Sequence, residues 1–263
     1  MPPAVSISRD GSRRAAHRPW VPEAPVALEF NGLSYAVMMA TPADLEDFAI
    51  GFALSEGLAD RQAGISDIAV TEVENGWIVR AAVPGLDLAS MQARVRNRVA
   101  ESSCGLCGVE NLAALAAPLP RVAVHRALRS EAVFAALAAL PALQQLGRQT
   151  GAAHAAAWAD QQGAVALLRE DVGRHIAMDK LIGAMAREER GLAAGFILST
   201  ARCSYEIVEK AVKAGATSLV TISLPTDLAV ERARTAGLSL WCLARDDSVL
   251  LVNDGSNSVT EPD

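Results

Sequence analysis

Alternation between apolar and polar positions sets out the first half of the chain. Val26-Ala27-Leu28-Glu29-Phe30 reads as a strand, Asn31-Gly32 as a hairpin turn, and Leu33–Met39 as the returning strand. Thr41-Pro42 then opens a helix, with Thr41 as its cap, Pro42 at the first helical position, and Asp44 and Glu46 at its positive end. Leu45, Phe48, Ala49, Phe52 and Ala53 keep helical spacing, and Gly57 stops the run. Two further strands, Ile68–Val73 and Trp77–Val83, flank the turn Glu74-Asn75-Gly76. An alanine-rich stretch from Glu110 to Leu143, broken by Pro118, Pro120 and Pro141, reads as mostly helical.

The second half changes rhythm. Gly195–Ser199, Ser218–Ser223, Leu238–Ala244 and Val249–Val252 are short apolar strands. Helices of about ten residues separate the first three: one from Ser204 to Ala214, stopped by Gly215, and one capped by Thr226 and stopped by Gly237. Strands alternating with helices predict βαβ units and an α/β fold with a mainly parallel sheet. The chain divides into a flexible arm (1–23), a smaller α+β domain (24–128), an α/β domain (129–255) and a tail (256–263).

Composition narrows the possibilities. Of 263 residues, 51% are hydrophobic and 21% charged, a globular balance. The net charge of −6 argues against a nucleic-acid binder, which would show a basic field. Apolar stretches 195–199 and 218–224 are too short to cross a bilayer, so no membrane role is expected. Residues 1–21 are polar, carry four arginines and lack a signal-peptide core. Four cysteines without a secretion signal fit a reducing, cytoplasmic setting with no disulfide framework.

In parallel sheets, ligands bind at the carboxyl ends of strands. Here those ends carry Ser199-Thr200-Ala201-Arg202, Ser223-Leu224-Pro225-Thr226 and Ala244-Arg245-Asp246. Each hydroxyl alone is explained as a helix cap. Hydroxyls at helix starts together with Arg202 and Arg245 suit an anionic, nucleotide-sized ligand.

Cys104-Gly105-Leu106-Cys107-Gly108 follows Ser102-Ser103 and precedes a helical pattern, a setting that lowers a thiol pKa and favours thiolate. A thiolate can attack a sulfane sulfur and hold it as a persulfide. Structural zinc lacks a second ligand pair. A thioredoxin-type pair lacks the apolar strand before it, because Val95-Arg96-Asn97-Arg98-Val99 is basic and polar. A third alternative is simple burial of two small residues. Elsewhere, His175 and Asp179 lie four apart on a predicted helix, where the carboxylate could orient the imidazole, and Arg174 at the helix start could reach a phosphate. An ordinary exposed ion pair serves equally well. His154 among alanines, and Cys203 and Cys242, read as core packing.

Several segments together resemble one family, FdhD, the sulfur carrier required for formate dehydrogenase activity. They are Met38–Leu45, Gly51–Gly57, Cys104–Gly108, Thr150-Gly151, His154–Trp158, Glu170–Lys180, Ser204-Tyr205-Glu206 and Thr226–Glu231. The similarity runs from about residue 24 to 252. It implies a carrier that takes sulfur from a cysteine desulfurase onto Cys104, assisted by Cys107. The sulfur is then delivered to the molybdenum bis(guanine dinucleotide) cofactor, bound as substrate and mimicked by GDP, for apo formate dehydrogenase. The family's guanine-dinucleotide segment falls on Leu243, Ala244, Arg245, Asp246, Asp247 and Ser248, where the two aspartates replace a more basic or glycine-rich stretch. With Arg202, Thr226, Arg174 and His175 these form the expected cofactor-binding set. The resemblance also implies a homodimer and a cytidine-deaminase-like, three-layer C-terminal domain. His154-Ala155-Ala156 and Cys203-Ser204-Tyr205 lack the deaminase glutamate and paired cysteines, so neither catalytic nor structural zinc is expected. A non-catalytic cofactor-binding chaperone and a dithiol oxidoreductase stand as alternatives.

Overall fold

A computed structural model describes residues 4–60, 64–86 and 117–258. The stretch read as an arm carries a two-stranded hairpin, β1 (Ala4–Ile7) with β2 (Arg13–Ala16), whose side chains are mostly exposed.

Four strands then make one sheet in the order β4-β3-β6-β5: β3 (Ala24–Phe30), β4 (Leu33–Ala40), β5 (Ser66–Val73) and β6 (Gly76–Ala82). Asn31 (φ 52°) and Gly32 (φ 78°) take the left-handed conformations that a two-residue hairpin requires. The Asn31 side chain also ties this turn to the end of β6. Its Nδ2 donates to Val83 O at 2.9 Å, and its Oδ1 accepts from Val83 N–H at 2.7 Å. Helix α1 (Leu45–Ser55) lies on this sheet, its Phe48 and Phe52 clustering with Phe30 of β3 and Tyr35 of β4 through edge-on and stacked rings.

The predicted cap of α1 is a correction. The helix starts at Leu45, after Asp44 in the left-handed region (φ 51°), and not at Pro42. Thr41 is used elsewhere: its N–H donates to Asp171 Oδ2 (3.0 Å), its hydroxyl accepts from Val172 N–H (3.1 Å), and its carbonyl accepts from Lys180 Nζ (2.9 Å). A distant strand end outcompetes the local capping role.

The larger sheet has six strands in the order β12-β11-β10-β9-β7-β8. These are β7 (His154–Asp160), β8 (Val165–Asp171), β9 (Gly195–Ser199), β10 (Ser218–Thr221), β11 (Ser239–Cys242) and β12 (Leu250–Asn253). Only β9–β10 and β10–β11 pair in parallel, whereas β7–β8, β7–β9 and β11–β12 are antiparallel. The sheet is therefore mixed, not mainly parallel. Residues 154–171 form a hairpin turning at Gly163 (φ 87°), which the alanine bias of His154-Ala155-Ala156-Ala157-Trp158 conceals. Alanine is a poor strand former by propensity, but Ala155–Ala159 are buried where helices close both faces, and small side chains fit there.

Helix α2 (Ser130–Leu143) covers one face through Ala132, Val133, Ala136 and Leu140, against Ala157, Phe196, Leu198 and Val220. A short α3 (Gln145–Thr150) follows it and ends at Gly151 (φ 69°). The other face is covered by α4 (Arg174–Arg187), α5 (Tyr205–Lys213) and α6 (Asp227–Ala236). Residues 117–129, within the stretch expected to be mostly helical, hold no helix. Residues 110–116 of that stretch lie outside the described residues.

Helices α1 and α4 join the two sheets at unusually close range. A Cβ on Gly51 would sit 1.7 Å from Asp179 O, and one on Gly183 1.9 Å from Asp47 O. Around this crossing lie buried charges. Asp47 accepts from Arg169 Nε and Arg187 Nη1, both at 2.8 Å. Lys210 Nζ donates to Asp179 (2.9 Å), Ser55 (2.9 Å) and Glu56 (3.2 Å). Burial alone would discharge Lys210, but the carboxylates of Asp179 and Glu56 outweigh it and hold the ammonium above the ordinary lysine range.

Candidate functional site

Because β8 and β9 both run antiparallel to β7, strands β8, β9, β10 and β11 point the same way. Their carboxyl ends, with the amino end of β7, line a single edge. The turn from β8 into α4 is built by Asp171. Its Oδ1 accepts from Gly173 N–H at 2.7 Å, while its Oδ2 accepts from Lys180 Nζ at 2.6 Å. Asp171 and Lys180 are both fully buried, so this strand-to-helix turn is anchored from beneath. Arg174 and His175 are thereby placed in the first turn of α4.

Arg174 is half-buried. Its Nε is shielded from solvent and has no hydrogen-bond partner among the described residues, and Ser204 Oγ at the cap of α5 is in the same condition. A buried unpaired guanidinium nitrogen is costly unless something else occupies its donor. His175 Nε2, also buried, lies 3.0 Å from Glu206 Oε2 in the first turn of α5, a charge contact that lacks hydrogen-bond alignment. This imidazole holds the Glu206 carboxyl below the usual range against the opposing effect of burial. The predicted His175–Asp179 pairing does not form, because Asp179 faces inward to Lys210 and Ser55. Four-residue spacing puts two side chains on neighbouring parts of a helix, but burial decides which way each is used.

Arg202, on the loop from β9 to α5, is exposed, and neither it nor Arg174 makes an ion pair among the described residues. Thr200 laces the same loop to β7. Ala155 N–H donates to its Oγ1 at 2.8 Å, and its own N–H donates to Ala155 O at 3.0 Å. This lacing brings His154, read from sequence as a core residue, into the site. It is half-buried, and burial followed by the charge of Arg174 pushes its pKa down against a hydrogen bond with the Thr200 backbone that favours the charged ring, with His175 and Arg202 adding to the lowering. The missed signal was its place at the amino end of a strand antiparallel to β9, which no local pattern displays.

The other predicted group lies along the same edge, at the ends of β10 and β11. Thr226 caps α6 by accepting from Ala229 N–H at 3.3 Å, which is the capping use of that hydroxyl. Leu243 takes a left-handed conformation (φ 49°), and Leu243 and Ala244 donate N–H groups to Ser223 O (3.2 Å) and Thr221 O (3.1 Å). Arg245 folds back so that Nη1 donates to Ile222 O and to Ala244 O (2.9 Å). Its N–H donates to Ser248 O at 2.8 Å, closing a turn through the exposed Asp246, Asp247 and Ser248. Beneath this edge Cys203 and Cys242 are buried, and Thr221 Oγ1 donates to Cys242 Sγ at 3.4 Å. The hydrogen bond with Cys242, then burial, pushes the Cys203 thiol up, while the same bond draws Cys242 down. Cys104 and Cys107 lie outside the described residues.

Around the start of α4, the described residues thus bring together the guanidinium groups of Arg174 and Arg202, the imidazoles of His154 and His175 and the unpartnered Ser204 hydroxyl, with Glu206 held by His175. Such a set suits an anion with several oxygen acceptors. No helix among the described residues is long and apolar enough to cross a membrane.

Comparison with known proteins identifies relatives over most of the chain. The model of the FdhD/NarQ family matches residues 21–257. A protein of Xanthomonas euvesicatoria pv. vesicatoria named sulfur carrier protein FdhD is 47% identical over 224 residues, covering 85% of this chain and 80% of that one. Its namesake in Bordetella petrii is 42% identical over 224 residues, covering 85% and 81%. A crystal structure from Desulfotalea psychrophila, described as a formate dehydrogenase accessory protein, superposes with a TM-score of 0.73 at 21% identity, covering 96% of each chain. At that identity the likeness speaks for the fold.

Proposed function

The chain belongs to the FdhD/NarQ family, and from that premise we propose that it is a cytoplasmic sulfurtransferase serving formate dehydrogenase maturation. In this reading the Cys104 thiolate attacks the sulfane sulfur of a cysteine desulfurase persulfide. A new S–S bond forms on Cys104 and the desulfurase thiolate leaves, so no external oxidant is consumed. Attack of the Cys107 thiolate on Cys104 Sγ then forms a Cys104–Cys107 disulfide and releases the outer sulfur as hydrosulfide to the molybdenum bis(guanine dinucleotide) cofactor, the substrate that is sulfurated before entering apo formate dehydrogenase, and an external dithiol reduces the disulfide to restore the carrier.

The observation that carries the reading is the cationic edge, where Arg174 Nε and Ser204 Oγ are buried without partners among the described residues. Those donors, with His175 and Arg202, suit the phosphates of a guanine dinucleotide, for which GDP is a mimic. The turn from Leu243 to Ser248 with Thr226 is assigned to the nucleoside end. We further read residues 24–128 and 129–255 as two domains, the second on a cytidine-deaminase-like scaffold without zinc, and the active species as a homodimer. Incubation with desulfurase and cysteine is expected to add the mass of one sulfur atom to the wild-type chain and none to Cys104→Ala. Sulfur uptake and formate dehydrogenase support by Cys104→Ala would refute the assignment. The unpartnered cluster by itself also fits a second reading, a cofactor-binding chaperone. Replacing both loop cysteines separates the two, since a chaperone would then keep both GDP binding and support of formate dehydrogenase.

A further inference from the structure

We propose that His154 is a proton-linked member of the anion cluster, taking up a proton when a diphosphate settles among Arg174, His175 and Arg202. This rests on the reading above, that the strand edge binds nucleotide phosphates.

The argument starts from what surrounds the imidazole. From α4 it is faced by Arg174 and His175, and from the β9–α5 loop by Arg202. Among the described residues, the acids nearest to it along β8 and α5 are committed to other groups. Across the β7–β8 register His154 stands opposite Asp171, which is held by Lys180, Gly173 and Thr41. Glu170, the next residue on β8, accepts from the N–H groups of Leu146 and Gly147 at 2.8 and 2.7 Å. Glu206 on α5 is engaged by His175. Among the described residues cations surround the ring and no carboxylate is left to pair with it, so burial and Arg174 outweigh the hydrogen bond with the Thr200 backbone and favour the neutral imidazole in the unliganded protein.

A bound diphosphate reverses that balance. Its negative charge offsets the arginines and stands close to the ring, which favours the imidazolium. Proton and anion then bind cooperatively, and by linkage each strengthens the other by the same factor. The affinity should therefore rise as pH falls toward the ordinary histidine range. The steepest possible dependence for one linked proton is about tenfold per pH unit. A site built only from arginines would show no such dependence.

The probe for the test is a guanosine-diphosphate sugar, because a diphosphate diester keeps a constant charge where a terminal phosphate titrates near pH 6. Calorimetric titrations of the full chain from pH 5.5 to 8.5, in two buffers of different ionisation enthalpy, would give affinity and proton uptake together. Wild type is expected to bind several-fold tighter at pH 6 than at pH 8 with net proton uptake, and His154→Gln to lose a large part of that slope. An NMR titration of the wild-type His154 ring, free and bound, covers the case in which a variant fails to fold: its pKa must rise on binding. Binding with no proton uptake, or a slope unchanged in His154→Gln, overturns the role of His154 alone. No binding at any pH overturns the nucleotide reading with it.

Discussion

Gly183→Ala puts the α1–α4 crossing to a quantitative test. In an isolated helix this change would stabilise by about 1 kcal/mol, because alanine is the better helix former. Here the added methyl would lie 1.9 Å from Asp47 O and 2.7 Å from Asp47 C, both backbone atoms. No rotamer change relieves such a clash, so α4 must move away from α1 by roughly 1.5 Å to regain normal contact. That displacement loosens apolar packing on α1 and disturbs the salt links of Asp47 with Arg169 and Arg187. Overpacking of this kind costs about 1–3 kcal/mol, and an obstacle made of backbone points to the upper end. The net expectation is a loss of about 2 kcal/mol after the propensity gain is subtracted. Urea unfolding followed by circular dichroism measures it as a lowered midpoint at unchanged slope. Gly191→Ala is the control, since nothing lies within 4 Å of its Cβ position and its backbone (φ −74°, ψ 128°) suits any residue. A Gly183→Ala protein as stable as its parent would refute the close-crossing argument. Since α4 carries Arg174 and His175, the same variant should bind GDP more weakly.

Two further outcomes follow from the buried charges. Lys210→Met should destabilise by about 3–5 kcal/mol, because Asp179 is left fully buried without its cation. The double variant Asp179→Leu, Lys210→Met should recover much of that loss, and thermal unfolding in which the double variant is worse than the single would contradict the pairing. The second concerns Glu206, whose folded pKa lies below its unfolded value because His175 binds the carboxylate. Its contribution is therefore present above the unfolded glutamate pKa of about 4.3 and is lost as pH falls through the lower folded value. The stability gap between parent and Glu206→Gln should shrink on acidification below that point, and a gap that widens would count against the His175–Glu206 pair.

Much of the fold was legible from local pattern. Strands β3 to β6 and β9 to β12, with helices α5 and α6, fall within a few residues of the positions that periodicity, turn residues and Thr226 indicate. These are places where one stretch of chain contains its own start, stop and apolar face. The β7–β8 hairpin was hidden because its alanines answer to two covering helix layers, a demand that lies outside the segment. Thr41 was misread for the same reason, since Asp171 and Lys180, 130 and 139 residues along the chain, take the groups that a local cap would use.

The candidate site divides along the same line. Sequence alone determined which chemical groups are available: the Cys104–Cys107 thiols, the hydroxyls and arginines at strand ends, and an acidic balance that argues against a nucleic-acid binder without excluding a small anion. Tertiary structure decided which of them meet. Strand order turned β7 so that His154 joins Arg174, His175 and Arg202, gave His175 to Glu206, and sent Asp179 into the interior with Lys210. The physical reason is that burial and charge energies depend on distances across the sheet and between helices. Spacing along one helix or strand constrains only neighbours within that element.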